Sequence, residues 1–205
     1  MTTNTTAHES HLATTTGLDH RKLLMWLFLA SECLFFGALI ATFLLYKDAS
    51  VVGPKPHEIL NIPVTSTSTF VLLTSSLAMV LALAAVQRSD VVSARFWIFA
   101  TAFLGATFLG FQVYEFYEFV IHGLTPKTNV FGASFFTLTG FHGAHVTVGV
   151  IWLMSLFFYS FKHGLPAEKS LDVELMGLYW HFVDIVWVVI FTVVYLIGSL
   201  EPPAT

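Results

Sequence analysis

The sequence predicts an all-α integral membrane bundle of five transmembrane helices, with a cytoplasmic N-terminus and an external C-terminus. Three observations carry that prediction. Hydrophobic residues make up 56% of the 205-residue chain and charged residues 11%, with a mean hydropathy of +0.76. A soluble domain of this length has no use for so much apolar surface. The apolar residues gather into five runs, roughly Leu23–Tyr46, Ser66–Val86, Phe96–Val120, Ala133–Phe161 and Glu174–Ser199. Each has about 20 residues or more, enough to cross a ~30 Å hydrocarbon layer at 1.5 Å per residue. Finally, Lys and Arg are distributed unevenly between the two ends of these runs. Six of them (Arg21, Lys22, Arg88, Arg95, Lys162 and Lys169) share the side of the N-terminus, against Lys47, Lys55 and Lys127 on the other. Positive charge concentrates on the cytoplasmic side, which sets the expected orientation.

The chain divides into a polar tail, residues 1–20, and a helix bundle, residues 21–205. The tail is rich in Thr and His and has no basic stretch leading into a short apolar segment and a cleavage site. It is therefore expected to be a disordered tail and not a signal peptide. Its histidines, His8, His11 and His20, have no rigid spacing that would favour a metal. The bilayer offers backbone groups no partner, so each long apolar run must be a helix. The connections are short. Val51–Pro63 holds Gly53, Pro54, Pro56 and Pro63 and reads as a loop, and turns at Gly123–Asn129 and His163–Ser170 carry Pro126 and Pro166. No tandem repeat or second domain is visible. The net charge of −4 leaves no nucleic-acid footprint, and the single cysteine, Cys33, excludes an intrachain disulfide.

Small residues recur every fourth position on three helices: Cys33, Gly37 and Ala41; Thr74, Ala78 and Ala82; Ala102, Ala106 and Gly110. Such stripes let helices approach closely, and packing is the reading they favour.

The stretch Phe135–Val146 puts His142 and His145 inside an apolar run, about 60° apart on one helix face. Ionisable groups at membrane depth are costly and point into protein or a polar cavity. From the rise per residue, Glu32 lies about 14 Å from the cytoplasmic side and His181 and Asp184 roughly 10 and 15 Å from it. His142 and His145 lie about 14 and 18 Å from the opposite side. All five fall near mid-membrane, so the expectation is one buried polar network, Glu32, His142, His145, His181 and Asp184, drawn from the first, fourth and fifth helices. A second polar set, Gln112, Glu115 and Glu118, sits near the outer end of the third helix among Tyr114 and Tyr117. It reads either as a wet helix end or as a contact to a partner or polar path.

Three chemistries fit the buried set. Metal or heme ligation has enough donors, but both histidines of the fourth helix share a face and the Glu-x-x-His pattern of di-iron bundles is missing. Proton or ion transport by this chain alone finds no inverted repeat or broken helix. A packed bundle with an internal polar network, serving a larger complex, fits best on physical grounds.

The motifs then carry a resemblance. Ser31-Glu32 followed by Leu34-Phe35-Phe36-Gly37, Leu72-Leu73-Thr74-Ser75-Ser76, and Gln112 with Glu115-Phe116-Tyr117-Glu118 occur in order along the chain. They are followed by Gly132-Ala133-Ser134-Phe135-Phe136, Gly140-Phe141-His142-Gly143-Ala144-His145-Val146 and Tyr179-Trp180-His181-Phe182-Val183-Asp184-Ile185-Val186-Trp187. Over about residues 21–199 the chain resembles subunit III of the heme-copper oxidases, the cytochrome c oxidase family. A pair often written Asn-Thr at the start of the second helix is Ser68-Thr69 here. Longer members of that family have seven helices, and this chain resembles their last five. The other two form one wall of a lipid-filled cleft, so a cleft here needs a wall from another subunit. The five-helix form is also similar to subunit III of quinol oxidases and to an accessory protein of nitric oxide reductase.

The resemblance implies a subunit of a bacterial terminal oxidase in the cytoplasmic membrane, active in aerobic respiration and without a catalytic centre or metal site of its own. Heme and copper are expected in subunits I and II, and phospholipid is a candidate ligand. Subunit I is the expected main contact, with subunit II, a small subunit IV and a respiratory supercomplex as further candidates. Subunit III is expected to support proton uptake by subunit I and to protect the catalytic centre during turnover. By the same resemblance Glu32 matches the family's buried helix carboxylate, His142, His145 and His181 its histidines, and Asp184 its terminal-helix aspartate. Lys22 and Lys162 sit at helix ends, where they either reach lipid phosphates or serve as plain positive-inside anchors.

Overall fold

A computed structural model describes residues 19–47 and 61–197. Within them the protein is helical: α1 His20–Tyr46, α2 Ile62–Gln87, α3 Val91–Ile121, α4 Val130–His163 and α5 Ser170–Ile190. A 3-10 turn, Ala167–Lys169, leads into α5, and a π-helical segment, Phe191–Ile197, continues it. All five long helices are apolar enough to span a membrane, α5 together with its π segment. The polar tail expected over 1–20 lies outside the described residues except for Asp19 and His20, which already start α1. The Val51–Pro63 loop lies outside them up to residue 60, and with it Lys55.

Helices α1 to α4 each start where a side chain satisfies a free N–H group, whereas α5 follows its 3-10 turn without a side-chain cap. Asp19 accepts from Arg21 N at 2.7 Å, Asn61 from Val64 N at 3.4 Å, Asp90 from Ser93 N at 3.1 Å and Asn129 from Gly132 N at 2.6 Å. Pro63 adds a residue already shaped for a first turn. Helix α4 stops at Gly164, whose φ of 69° is a left-handed conformation glycine adopts without strain. Between α2 and α3 only Arg88, Ser89 and Asp90 intervene, and Ser89 takes φ 57° to turn the chain. So tight a reversal makes α2 and α3 an antiparallel pair, packed closely along their length, with Ala78, Ala82 and Ala85 of α2 and Ala94 and Ala102 of α3 buried.

Helix α3 packs in turn on α4, and α5 fills the groove against α2 and α4. Helix α1 lies on the outside, against α4 and α5, and buries only Leu29, Phe36 and Phe43. Those three are seven residues apart, which is one narrow stripe. The small residues of α1 were expected to pack; Cys33, Gly37 and Ala41 instead face outward, and a methyl group at Gly37 would meet nothing within 4 Å. The stripe on α2 does pack at Ala78 and Ala82, while on α3 only Ala102 does and Ala106 and Gly110 are exposed.

The bundle centre is built around Trp180, which is fully buried. Its indole lies between two glycines. A Cβ added at Gly105 of α3 would come 2.5 Å from it, and one at Gly149 of α4 2.7 Å. Without these glycines α5 could not sit so close to both helices.

Candidate functional site

The polar residues expected to form one network are divided by the structure among three places. The first is a seam between α2 and α5. The hydroxyls of Thr69, Ser75 and Ser76 line the side of α2 that meets α5. Trp180 Nε1 donates to Ser75 Oγ at 2.9 Å, and Trp187 Nε1 donates to Thr69 Oγ1 at 2.9 Å. Ser76 joins the two ionisable residues of α5: its Oγ lies 2.8 Å from His181 Nδ1, and its hydroxyl donates to Asp184 Oδ2. A serine has one proton to give, so His181 Nδ1–H donates to Ser76, which donates to Asp184. Asp184 is 3% exposed, and its other oxygen, Oδ1, has no hydrogen-bond partner among the described residues.

His142 and His145 point to different neighbours even though they share a helix face. His142 is fully buried toward α3 and α5. Its Nε2–H donates to the Val183 carbonyl at 3.2 Å, and its ring lies 4.8 Å from that of Trp187 and edge-on to Phe108 at 5.8 Å. A carbonyl only accepts, so Nε2 carries the proton. Nδ1 has no partner among the described residues. His145 turns to α1. Its Nδ1–H donates to the Phe141 carbonyl at 2.8 Å, and its Nε2 lies 3.2 Å from Glu32 Oε2. That contact is at ion-pair distance but its angle falls short of a hydrogen bond. Tyr179 of α5 donates to the His145 carbonyl at 2.9 Å and braces the same turn. Glu32 and His145 are 17% and 19% exposed, so this pair opens onto the outer face of the bundle while the other contacts are enclosed.

The set at the far end of α3 also splits. Gln112 and Glu115 are 6% and 5% exposed and point inward. Gln112 Nε2 donates to the Thr139 carbonyl at 2.7 Å, and its amide fills the space that a Cβ at Gly143 would take. Glu115 accepts from the Thr65 hydroxyl and bonds to Tyr195 of the π segment. Only Glu118 is a wet helix-end residue, half-exposed and 3.9 Å from His122. A small cavity of about 140 Å³ opens there, lined by Asn61, Tyr114, Glu115, Glu118 and His122 among others. At the opposite end Lys22 is held 2.5 Å from Glu174, beside an Arg21–Asp172 pair, whereas Lys162 is exposed in the last turn of α4.

These placements have physical causes that spacing along one helix does not reveal. Which helices flank α4 decides that His142 meets α5 and His145 meets α1. Thr69, Ser76, Trp180 and Trp187 enter the sequence reading only as motif residues with no contact assigned, and Thr65 and Tyr195 do not enter it. A signal for them exists: hydroxyl residues at 65, 69 and 76 on one face of an otherwise apolar helix, opposite a helix with polar-tipped aromatics at 180 and 187.

The arrangement suits neutral hydrogen bonding between packed helices. Glu32 and His145 lie at ion-pair distance between α1 and α4, and one relay of donors runs from His181 to Asp184. Among the described residues no three His, Cys, Asp or Glu side chains come together as a metal-ligand group. Fold and contacts thus define a polytopic helical membrane protein whose ionisable residues join its helices to one another.

Known proteins give the class a family. The family model for cytochrome c oxidase subunit III matches residues 1–199. Cytochrome c oxidase subunit 3 of Bacillus sp. (strain PS3) is 43% identical over 175 residues, 85% of this chain and 84% of that protein. Cytochrome bo(3) ubiquinol oxidase subunit 3 of Pseudomonas aeruginosa is 36% identical, again over 85% and 84%. Quinol oxidase subunit 3 of Bacillus subtilis is 37% identical over 84% and 85%. The chain belongs to the cytochrome c oxidase subunit III family and is a multi-pass protein of the bacterial inner membrane, part of a heme-copper oxidase with other subunits.

Proposed function

We propose that this chain is subunit III of a terminal oxidase that takes its electrons from cytochrome c, packs on subunit I and helps sustain proton uptake there. The observation that carries the choice of donor is the higher identity to the relative from Bacillus sp. (strain PS3) than to the quinol-oxidase relatives. Two features support a packing role. The ionisable residues of the interior are engaged between helices, and the outer face of α1 presents Cys33, Gly37 and Ala41, a small-residue stripe that suits a helix of another subunit. In this reading heme and copper belong to subunits I and II, phospholipid covers the remaining surface, and the oxidase translocates protons through subunit I. The N-terminus is cytoplasmic and the C-terminus external, as the charge bias favours. A quinol-oxidase form is the second reading, favoured by relatives of that type at similar coverage.

The test is purification through a tag on this chain in mild detergent, followed by reduced-minus-oxidised spectra and turnover with reduced cytochrome c or a quinol. Heme bands are expected with the larger subunits, lost when this chain is isolated and unchanged by Glu32→Ala, with turnover on cytochrome c. Turnover on quinol alone selects the second reading. Heme retained by the isolated chain overturns the proposal and makes His142, His145 and His181 ligands. Absence of heme at every stage favours a free-standing transporter.

A further inference from the structure

We infer that the far end of the α2–α3 groove binds an isoprenoid quinol, with its ring in the cavity at Glu118 and its tail along Thr107, Gly110 and Phe111. Two spaces meet there. One is the cavity of about 140 Å³, whose polar walls include Asn61, Glu118 and His122 and whose aromatic walls are Tyr114 and Phe119. The other is an apolar groove of about 550 Å³, lined by Val64, Thr107, Gly110, Phe111 and Tyr114. Val64 and Tyr114 line both, so the two spaces are continuous. Thr107 and Tyr114 are about two turns apart on α3, so the groove runs roughly 10 Å from the cavity toward the middle of the helix. Gly110 keeps it open, since a Cβ there meets nothing within 4 Å.

Size, charge and hydrogen bonding together select the head. A cavity of about 150 Å³ is filled by one benzene ring, so the space at Glu118 is that of a single ring. Glu115 and Glu118 both line it, and among the described residues no Lys or Arg does. A phosphate is therefore repelled. Asn61 Oδ1 already accepts from Val64 N, which leaves its amide N–H groups as donors. His122 Nδ1–H donates to the Glu118 carbonyl at 2.8 Å, which leaves Nε2 as an acceptor in addition to the Glu118 carboxylate. A ring hydroxyl serves both kinds of partner, because it donates to the carboxylate or imidazole and accepts from the amide. A quinone carbonyl only accepts and leaves the carboxylate unpaired, so the site prefers the reduced form.

A prenylated ring meets both spaces at once. A bare acyl chain would leave the polar walls unmet, and a basic side chain of a partner would leave the groove unfilled. The inference concerns binding alone and assigns no electron transfer to this chain. It is independent of which electron donor the oxidase uses, because it is read from the position of label on this chain.

The experiment uses the protein with its co-purifying subunits in nanodiscs, under argon. The probe is a prenyl benzoquinol with a diazirine in its tail, and label is located by peptide mass spectrometry after irradiation. Label is expected on this chain between Thr107 and Tyr114 and near Val64, and unlabelled quinol is expected to displace it. Gly110→Leu, which fills the groove, should abolish it. Glu118→Gln should weaken binding of the quinol about tenfold, as for one hydrogen bond to a charged acceptor, and leave binding of the oxidised probe nearly unchanged. Lys127→Gln, outside both spaces, should have no effect. If Gly110→Leu fails to assemble, competition in the wild type and the half-exposed Glu118→Gln variant decide the matter. Label confined to other subunits overturns the inference. So does equal labelling by the reduced and oxidised probes, undiminished labelling of an assembled Gly110→Leu variant, or displacement by phosphatidylethanolamine as readily as by quinol.

Discussion

Replacing Gly105 by alanine tests the idea that Trp180 sets how closely α5 packs. The new Cβ would lie 2.5 Å from Trp180 Cη2, 2.8 Å from Cζ2 and 3.1 Å from a methyl of Val150. The indole has nowhere to go. Its opposite side is already 2.7 Å from the position of a Cβ at Gly149, and its Nε1 is bonded to Ser75 at 2.9 Å. Adding a methyl to a packed interior costs about 1–3 kcal/mol, and with the ring trapped on both sides the upper part of that range applies. Alanine is the better helix former by about 1 kcal/mol, which offsets part of the loss. A net destabilisation of about 1–2 kcal/mol is therefore expected. Gly110→Ala on the same helix supplies the reference, since a Cβ there meets nothing within 4 Å and only the propensity gain applies. The assay is unfolding of the purified protein in mixed micelles by added SDS, followed through Trp fluorescence. Gly105→Ala should shift the midpoint down and Gly110→Ala should leave it in place or raise it. Equal midpoints for the two variants would refute the account of Trp180 as a wedge held by two glycines.

Two further outcomes are expected. Asp184→Leu removes the acceptor of the Ser76 proton at a buried site, a loss of about 1–3 kcal/mol, and should weaken retention of the chain in the oxidase; Asp184→Asn keeps an acceptor and should retain more. Equal retention of the two would show that the Ser76 bond contributes nothing. Asp90 tests pH dependence outside the membrane: its bonds from the Ser93 hydroxyl and N–H hold its carboxyl below the usual carboxylate range. A depressed value in the folded state means the cap's contribution is complete above about pH 4, the ordinary Asp value, and fades as pH falls through the folded value. Asp90→Asn should flatten that acid limb in a thermal-stability scan from pH 7 to pH 3, lowering stability above about pH 5 and changing it least near pH 3.

The sequence by itself determined the number and extent of the helices. Their length and apolarity are local properties, and the bilayer leaves such runs no alternative to the helix. It also marked the ionisable residues, because a Glu, His or Asp within an apolar run is conspicuous wherever its neighbours lie. What each of them touches was decided only by the tertiary structure. His142 and His145 share a helix face, yet α5 covers one and α1 the other, so an expected single network became separate contacts. Gln112 and Glu115 read either as part of a wet helix end or as a partner contact or polar path; they are buried because α4 covers Gln112, while Thr65 of α2 and Tyr195 of the π segment cover Glu115. The stripe Cys33, Gly37, Ala41 read as packing and faces outward because α1 meets the bundle on its Phe36–Phe43 side. A helix's own sequence fixes which residues share a face. Which neighbour each face meets depends on the tight α2–α3 turn and on the glycines that admit Trp180, and these act between segments far apart in the chain.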